Sequence, residues 1–144
     1  MEDAPIARSS ITIDAVPGKV WEALTTPGII KLYFFGTDVT TDWNVGGPIV
    51  YRGEWEGKPY EDKGRIINFE RERLLVTSHW SPLSGTPDVA ENYHIVSYEL
   101  RAENGGTRLT ISQTNNTSED EAAHSTRNWN MILESLKRLL ETRF

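Results

Sequence analysis

From residue 48 to residue 113 apolar and polar side chains alternate with a period of two, broken by short clusters of turn formers. The sharpest cluster is ENGG, residues 103–106. Asn-Gly is the preferred pair for a tight type I′ hairpin. With Asn104 and Gly105 at the tip, Leu100 faces Leu109, Tyr98 faces Ile111, Val96 faces Gln113 and His94 faces Asn115. One face of this hairpin is apolar for most of its length, which supports the register. A turn over EGKP (56–59) predicts a second hairpin, with Trp55 opposite Tyr60, Gly53 opposite Asp62, Tyr51 opposite Gly64 and Ile49 opposite Ile66. A turn near Arg71 predicts a third, with Ile66 opposite Val76 and Asn68 opposite Leu74.

Outside this stretch the period changes. RSSITID (8–14) alternates and reads as a strand. Pro17 suits a first helical turn, and Val20, Trp21 and Leu24 follow at helical spacing, predicting a helix over 17–25. TPGIIKLYFF restarts helically after Pro27 and ends near Gly36. The last element is a long helix. Ser118 and Glu121 form a capping box, and Glu119, Asp120 and Glu121 suit the N-terminal end of the dipole. Trp129, Ile132, Leu133, Leu136 and Leu140 make one apolar stripe. About 24 residues at ~1.5 Å each reach roughly 36 Å, enough to cross a sheet. The predicted fold is therefore α+β: a curved antiparallel sheet of about six or seven strands wrapped around the C-terminal helix, with two short helices after the first strand. An amphipathic sheet needs a cover, and only that helix can supply it.

The segment WSPLSGTPDVAENYH (80–94) joins two of the strands, with His79 and His94 at its two ends. Two registers are open. Pairing His79 with His94 makes the histidines neighbours but turns Leu74, Val76 and Trp80 to the charged side. Pairing Trp80 with Asn92 sets Ser78 opposite His94, Val76 opposite Val96 and Leu74 opposite Tyr98, and keeps the apolar residues together. The second is preferred; it points His79 outward and argues against a paired-histidine metal site. The concave face then carries Tyr51, Trp55, Tyr60, Asp62, Ser78, Trp80, His94 and Tyr98, with Trp129 facing it from the long helix. Ile67, Phe69, Leu75, Tyr93 and Ile95 fall on the outer face, as a dimer patch or under a loop.

Composition narrows the chemistry. The 144 residues suit one domain, taken as 1–144. Net charge is −6 with no basic run, which disfavours nucleic acid and anionic membrane surfaces. The absence of cysteine excludes disulfides, thiolate metal sites and a thiol nucleophile. No apolar run is long enough to span a bilayer, and MEDAPIARSS is not a signal peptide. The expectation is a cytoplasmic protein with no metal and no cofactor, since the Gly46-Gly47 pair lacks the following helix of a phosphate loop.

The stretches ITIDAVPGKVWEALTTPGIIKLYFF, DWNVGGPIVYRGEWEGKPYEDKGRI, VTSHWSPLSGTPDVAENYH and NWNMILESLKRLLE, taken in order, resemble the activator of heat shock protein 90 ATPase homologue family. That family lies within the START-like (SRPBCC, Bet v 1-like) helix-grip superfamily, and the resemblance runs from about Ser10 to the end. It implies the fold already reached from the hairpins. It also implies a cavity between sheet and long helix, of the kind that takes lipids, sterols or polyketides.

Three functions follow as expectations. The first is a small-molecule binding protein, holding an apolar or aromatic ligand against Tyr51, Trp55, Tyr60, Asp62, Ser78, Trp80, His94, Tyr98 and Trp129. The second is a cyclase or dehydratase with Asp62 and His94 as acid and base, against which stand the missing nucleophile motif, metal cluster and cofactor loop. The third is a chaperone-associated protein of the stress response, acting through its surface. A monomer and a homodimer are both compatible with the chain. The loop 81–91 and the helix containing Tyr33 and Phe34 are expected to flank the mouth of the cavity.

Overall fold

The computed structural model describes residues 5–143. In chain order the elements are β1 (Ala7–Ile13), α1 (Pro17–Thr25), α2 (Pro27–Tyr33), β2 (Asp38–Thr41), β3 (Pro48–Trp55), β4 (Lys58–Glu70), β5 (Leu74–His79), β6 (His94–Glu103), β7 (Gly106–Gln113) and α3 (Glu119–Arg143). The seven strands form one antiparallel sheet in the order β1-β7-β6-β5-β4-β3-β2. The α+β architecture read from the sequence is the one observed, with β2 as an added edge strand.

Each helix begins where its local chemistry allows. Pro17 and Pro27 open α1 and α2 with φ already set for a helix and no N–H to satisfy. The Tyr33 hydroxyl donates to the Ala23 carbonyl at 2.9 Å, tying the two helices together. At α3 the Ser118 hydroxyl accepts from Glu121 N–H at 3.0 Å, and the Glu121 carboxylate accepts from Thr117 N–H at 2.9 Å. The box is thus closed one residue outside the cap. Leu133, Leu136 and Leu140 of α3 are buried in a common core with Ile13, Val20, Leu24, Ile111 and Leu109.

The hairpins obey their turns. Asn104 and Gly105 both have positive φ, 49° and 82°, and the β6–β7 pairs Val96–Gln113, Tyr98–Ile111 and Leu100–Leu109 match the reading from the sequence. The second hairpin is tighter than EGKP suggested. Glu56 and Gly57 alone make the turn, with φ of 50° and 79°. Trp55 therefore faces Lys58, Gly53 faces Tyr60, Tyr51 faces Asp62 and Ile49 faces Gly64. A shift of two residues leaves every side chain on the face expected of it.

The third hairpin departs in a way that matters. Ile66 pairs with Thr77 but Asn68 pairs with Val76, so Ile67 is an unpaired bulge residue. The bulge lets Ile66 and Phe69 both face the core although they are three residues apart. Phe69 packs edge-on against Trp21 at 5.1 Å, while Ile67 is exposed. The parity of β5 is thereby reversed. His79 pairs with His94, Thr77 with Val96 and Leu75 with Tyr98, so the register preferred from the sequence is overturned. Leu75 and Thr77 are buried, and Phe69 and Leu75 belong to the inner face rather than the outer one.

Close approach across the bend of the sheet requires glycine at position 64, where a Cβ would lie 1.7 Å from the Ser78 carbonyl oxygen. Gly64→Ala is expected to destabilise the fold by about 3 kcal/mol, the upper range for forced overpacking. Gly28→Ala, in α2 with nothing within 4 Å of the new methyl, should be neutral or stabilising by about 0.5 kcal/mol. Urea unfolding of the two variants checks both values.

Candidate functional site

The space between sheet and α3 is unequal along the helix. Toward the C-terminal half, Ile132, Leu133 and Leu136 meet Leu24, Ile30 and Ile111 and leave a void of only about 30 Å³. Toward the N-terminal half a cavity of about 660 Å³ opens. The cause lies in the helix sequence. The apolar stripe begins at Trp129; the preceding turns present Glu121, His124, Ser125 and Asn128 to the same space. These side chains are too short or too polar to fill it.

The walls are aromatic. Tyr51, Trp55 and Tyr60 stand on β3 and β4, Tyr98 on β6, and Phe34 and Phe35 follow α2. The Tyr60 ring lies over Gly53, where a Cβ would come within 2.5 Å of its hydroxyl, and that hydroxyl bonds Thr37 at 2.6 Å. Trp129 is fixed in place by its indole N–H, which donates to Gln113 Oε1 at 2.9 Å. The Gln113 amide donates in turn to Asn116 at 3.0 Å and Ser125 at 3.1 Å. Phe34 and Tyr98 both meet the Trp129 ring edge-on, at 5.8 and 5.9 Å.

The polar groups converge from β4, β5 and β6. His79 Nε2 donates to Asp62 Oδ2 at 3.0 Å. A carboxylate only accepts, so His79 carries its proton on Nε2 and presents Nδ1 as an acceptor in the neutral form. His94 takes the opposite tautomer. Its Nδ1 lies 2.9 Å from the Thr114 carbonyl, which also only accepts, so Nε2 is left with the lone pair. All three histidines of the chain, His79, His94 and His124, line this one cavity. Asp62 Oδ1 and Thr77 Oγ1 are buried without a hydrogen-bond partner among the described residues. Burial pushes the Tyr51 phenol up to about 12, with the Thr77 hydroxyl opposing and the Asp62 carboxylate adding to the rise. Burial also holds Tyr98 well above the usual phenol range. Both rings stay neutral at ordinary pH.

Of the nine residues singled out in the sequence, Tyr51, Trp55, Tyr60, Asp62, His94, Tyr98 and Trp129 surround the cavity. Ser78 and Trp80 do not, because the bulge turns them to the other face. The Ser78 hydroxyl accepts from Arg65 N–H at 3.0 Å. Trp80 stacks on Tyr93 at 6.3 Å and donates to Thr86 at 3.1 Å. His79, expected to point outward, is the inward partner of Asp62; Asp62 bonds His79 and not His94. The signal that could have revealed this was the spacing of Ile66 and Phe69, both apolar and three apart, which only a bulge can place on one face. Gln113, which seats Trp129, was signalled only by its register position opposite Val96 on the inner face. The loop 81–91 lies at the mouth through Ser81, Leu83 and Ser84. Its far half is pinned by a Lys63–Asp88 ion pair and by the Asn115 amide on the Glu91 and Tyr93 carbonyls. Among the described residues no cluster of three or more metal-type ligands occurs, and no helix is long and apolar enough to cross a membrane.

A curved antiparallel sheet gripping one long helix, with an opening at one end, defines the helix-grip class. Within it the chain belongs to the family described as activator of Hsp90 ATPase homolog 1-like protein, whose model matches residues 14–141. The solution structure of ChR145 from Cytophaga hutchinsonii is 50% identical and superposes with a TM-score of 0.86, covering 99% of this chain and 98% of that one. The Aha1 dimer from Colwellia psychrerythraea is 22% identical with a TM-score of 0.74, over 96% of this chain and 97% of that one. DynU16, a protein of the dynemicin biosynthetic locus, is 21% identical with a TM-score of 0.78, over 99% of this chain and 48% of that one. The last two likenesses bear on the fold alone. A comparison with curated proteins finds no match.

The two tautomers are directly observable. Long-range ¹H–¹⁵N correlation spectra at neutral pH are expected to show His79 as the Nε2–H form and His94 as the Nδ1–H form. In Asp62→Asn, His79 should lose its fixed tautomer while His94 keeps it.

Proposed function

We propose that the chain is a small-molecule binding protein whose ligand, an apolar or aromatic body with one polar end, lies between the sheet and the N-terminal half of α3. The observation that carries this is the cavity of about 660 Å³, which falls in the ~300–1,000 Å³ range of ligand sites. Its make-up fits the same reading: aromatic walls around a few convergent polar groups. The aromatic body rests against Tyr51, Trp55, Tyr60, Tyr98 and Trp129, and the polar end meets Asp62, His79 and His94. A buried acceptor without a partner among the described residues, Asp62 Oδ1, supports it further. An unmatched buried polar atom costs about 1–3 kcal/mol, and such atoms persist where binding or chemistry needs them. Ser78 and Trp80 have no part in this site.

Native mass spectrometry of the freshly purified protein, followed by denaturing extraction, tests the reading. A co-purified small molecule is expected. Asn128→Trp, which places an indole across the mouth from an exposed turn of α3, should abolish retention with a melting temperature within a few degrees of the parent. A clean unliganded mass together with an unaltered binding profile in Asn128→Trp would overturn the proposal and shift attention to the protein surface.

A further inference from the structure

The cavity has a sign. Its lining contains three carboxylates, Glu56, Asp62 and Glu121, together with the three histidines, and among the described residues no Lys or Arg. Three basic side chains of β3 and β4 are engaged elsewhere. Arg52 pairs with Glu61 at 2.6 Å, Lys63 with Asp88, and Arg65 donates to the Gly46 carbonyl at 3.1 Å. The N-terminal end of α3 also borders the opening, and a helix N-terminus ordinarily favours an anion. Here it is already covered by Glu119, Asp120 and Glu121, and Glu121 closes the cap with its own carboxylate. Among the described lining residues no Lys or Arg compensates a second negative charge.

The groups that converge from Asp62, His79 and His94 are mainly acceptors, beside the O–H donors of Tyr51, Thr77 and Tyr98. The Asp62 carboxylate accepts. In the neutral form His94 offers an Nε2 lone pair, because its Nδ1 proton is committed to Thr114. His79 donates its Nε2–H to Asp62 and, in the neutral form, retains an acceptor at Nδ1. A ligand that brings a donor finds partners at this end. One that brings a carboxylate, sulfonate or phosphate meets the like charge of Asp62, Glu56 and Glu121, which in a partly desolvated site costs binding steeply.

We propose that the cavity discriminates against anionic ligands and takes a neutral or cationic aromatic molecule whose polar end donates a hydrogen bond, an aryl hydroxyl or an amine N–H, to Asp62 and His94. This rests on the small-molecule reading above and names the class of ligand. It sets the site apart from one built for fatty-acid or other carboxylate head groups.

Three probes with a common naphthyl-phenyl body separate the terms. N-phenyl-1-naphthylamine is neutral with an N–H donor, 1-benzylnaphthalene has no donor, and 8-anilinonaphthalene-1-sulfonate adds a fixed negative charge. Titration of each at pH 7.5, followed by quenching of tryptophan emission, is expected to rank amine above hydrocarbon above sulfonate. The amine should bind at least tenfold more tightly than the sulfonate. Asp62→Asn should narrow that gap severalfold by strengthening sulfonate binding, and His94→Phe should erase the preference for amine over hydrocarbon. Sulfonate binding equal to or tighter than amine binding in the parent protein would overturn the discrimination while leaving small-molecule binding intact. Failure of all three probes, in a protein that also co-purifies with nothing, would overturn both.

Discussion

One unpaired residue sets the chemistry of this molecule. The bulge at Ile67 lets Ile66 and Phe69 enter the core together, and every residue of β5 takes its facing from that step. With the bulge, Leu75, Thr77 and His79 point inward; without it Leu74, Val76, Ser78 and Trp80 would. The packing term favours the bulge because Phe69 gains Trp21 and Trp43 as aromatic neighbours and Leu75 becomes fully enclosed. The polar term follows. His79 comes within reach of Asp62, and a carboxylate that would otherwise face an apolar space alone acquires a donor. A contact made for the core thus places a hydrogen-bonded histidine–aspartate pair in the cavity.

The second constraint is the uneven helix. A helix that was apolar along its whole length would bury the sheet completely and leave no space. In α3 the work of burial falls on Ile132, Leu133, Leu136 and Leu140, and the two turns before Trp129 contribute little to it. Trp129 stands at the border. Its ring closes the packed end, and its N–H is held by Gln113 at the floor of the open end. Stability and the cavity are therefore assigned to different halves of one helix. Side chains at the mouth can change with small cost to folding, whereas those beyond Trp129 cannot.

Much of this was legible in the chain. Asn104-Gly105 fixed the β6–β7 pairing residue by residue, because a type I′ turn tolerates few sequences. The apolar stripe of α3, its start at Trp129 included, was plain from spacing. The second hairpin slipped by two residues because Glu56 adopted a positive φ that its type seldom takes, yet the faces survived, since two is the period of a strand. The bulge was not legible as a turn is. It left only the three-residue spacing of Ile66 and Phe69, and the chain offers an equally good alternation if Phe69 is sent outward. What decides between the two is the presence of Trp21 and Trp43 on the inner side, a tertiary fact. Seven of the nine candidate residues lie around the cavity, carried by β3, β4, β6 and α3; the other two, Ser78 and Trp80, lie on and just after β5, whose parity the bulge reversed.

The same reversal explains why the two histidines at the ends of one loop are not equivalent. They face each other as register partners, yet each is held by a different kind of acceptor, a carboxylate for His79 and a backbone carbonyl for His94. The carboxylate bond is charge-assisted and ties His79 to its strand neighbour. The carbonyl bond orients His94 without neutralising anything, and leaves its free nitrogen as a basic acceptor. Two identical side chains, placed opposite one another by the ladder, are thus differentiated by what lies behind each. One is committed to the wall and the other is available to whatever enters.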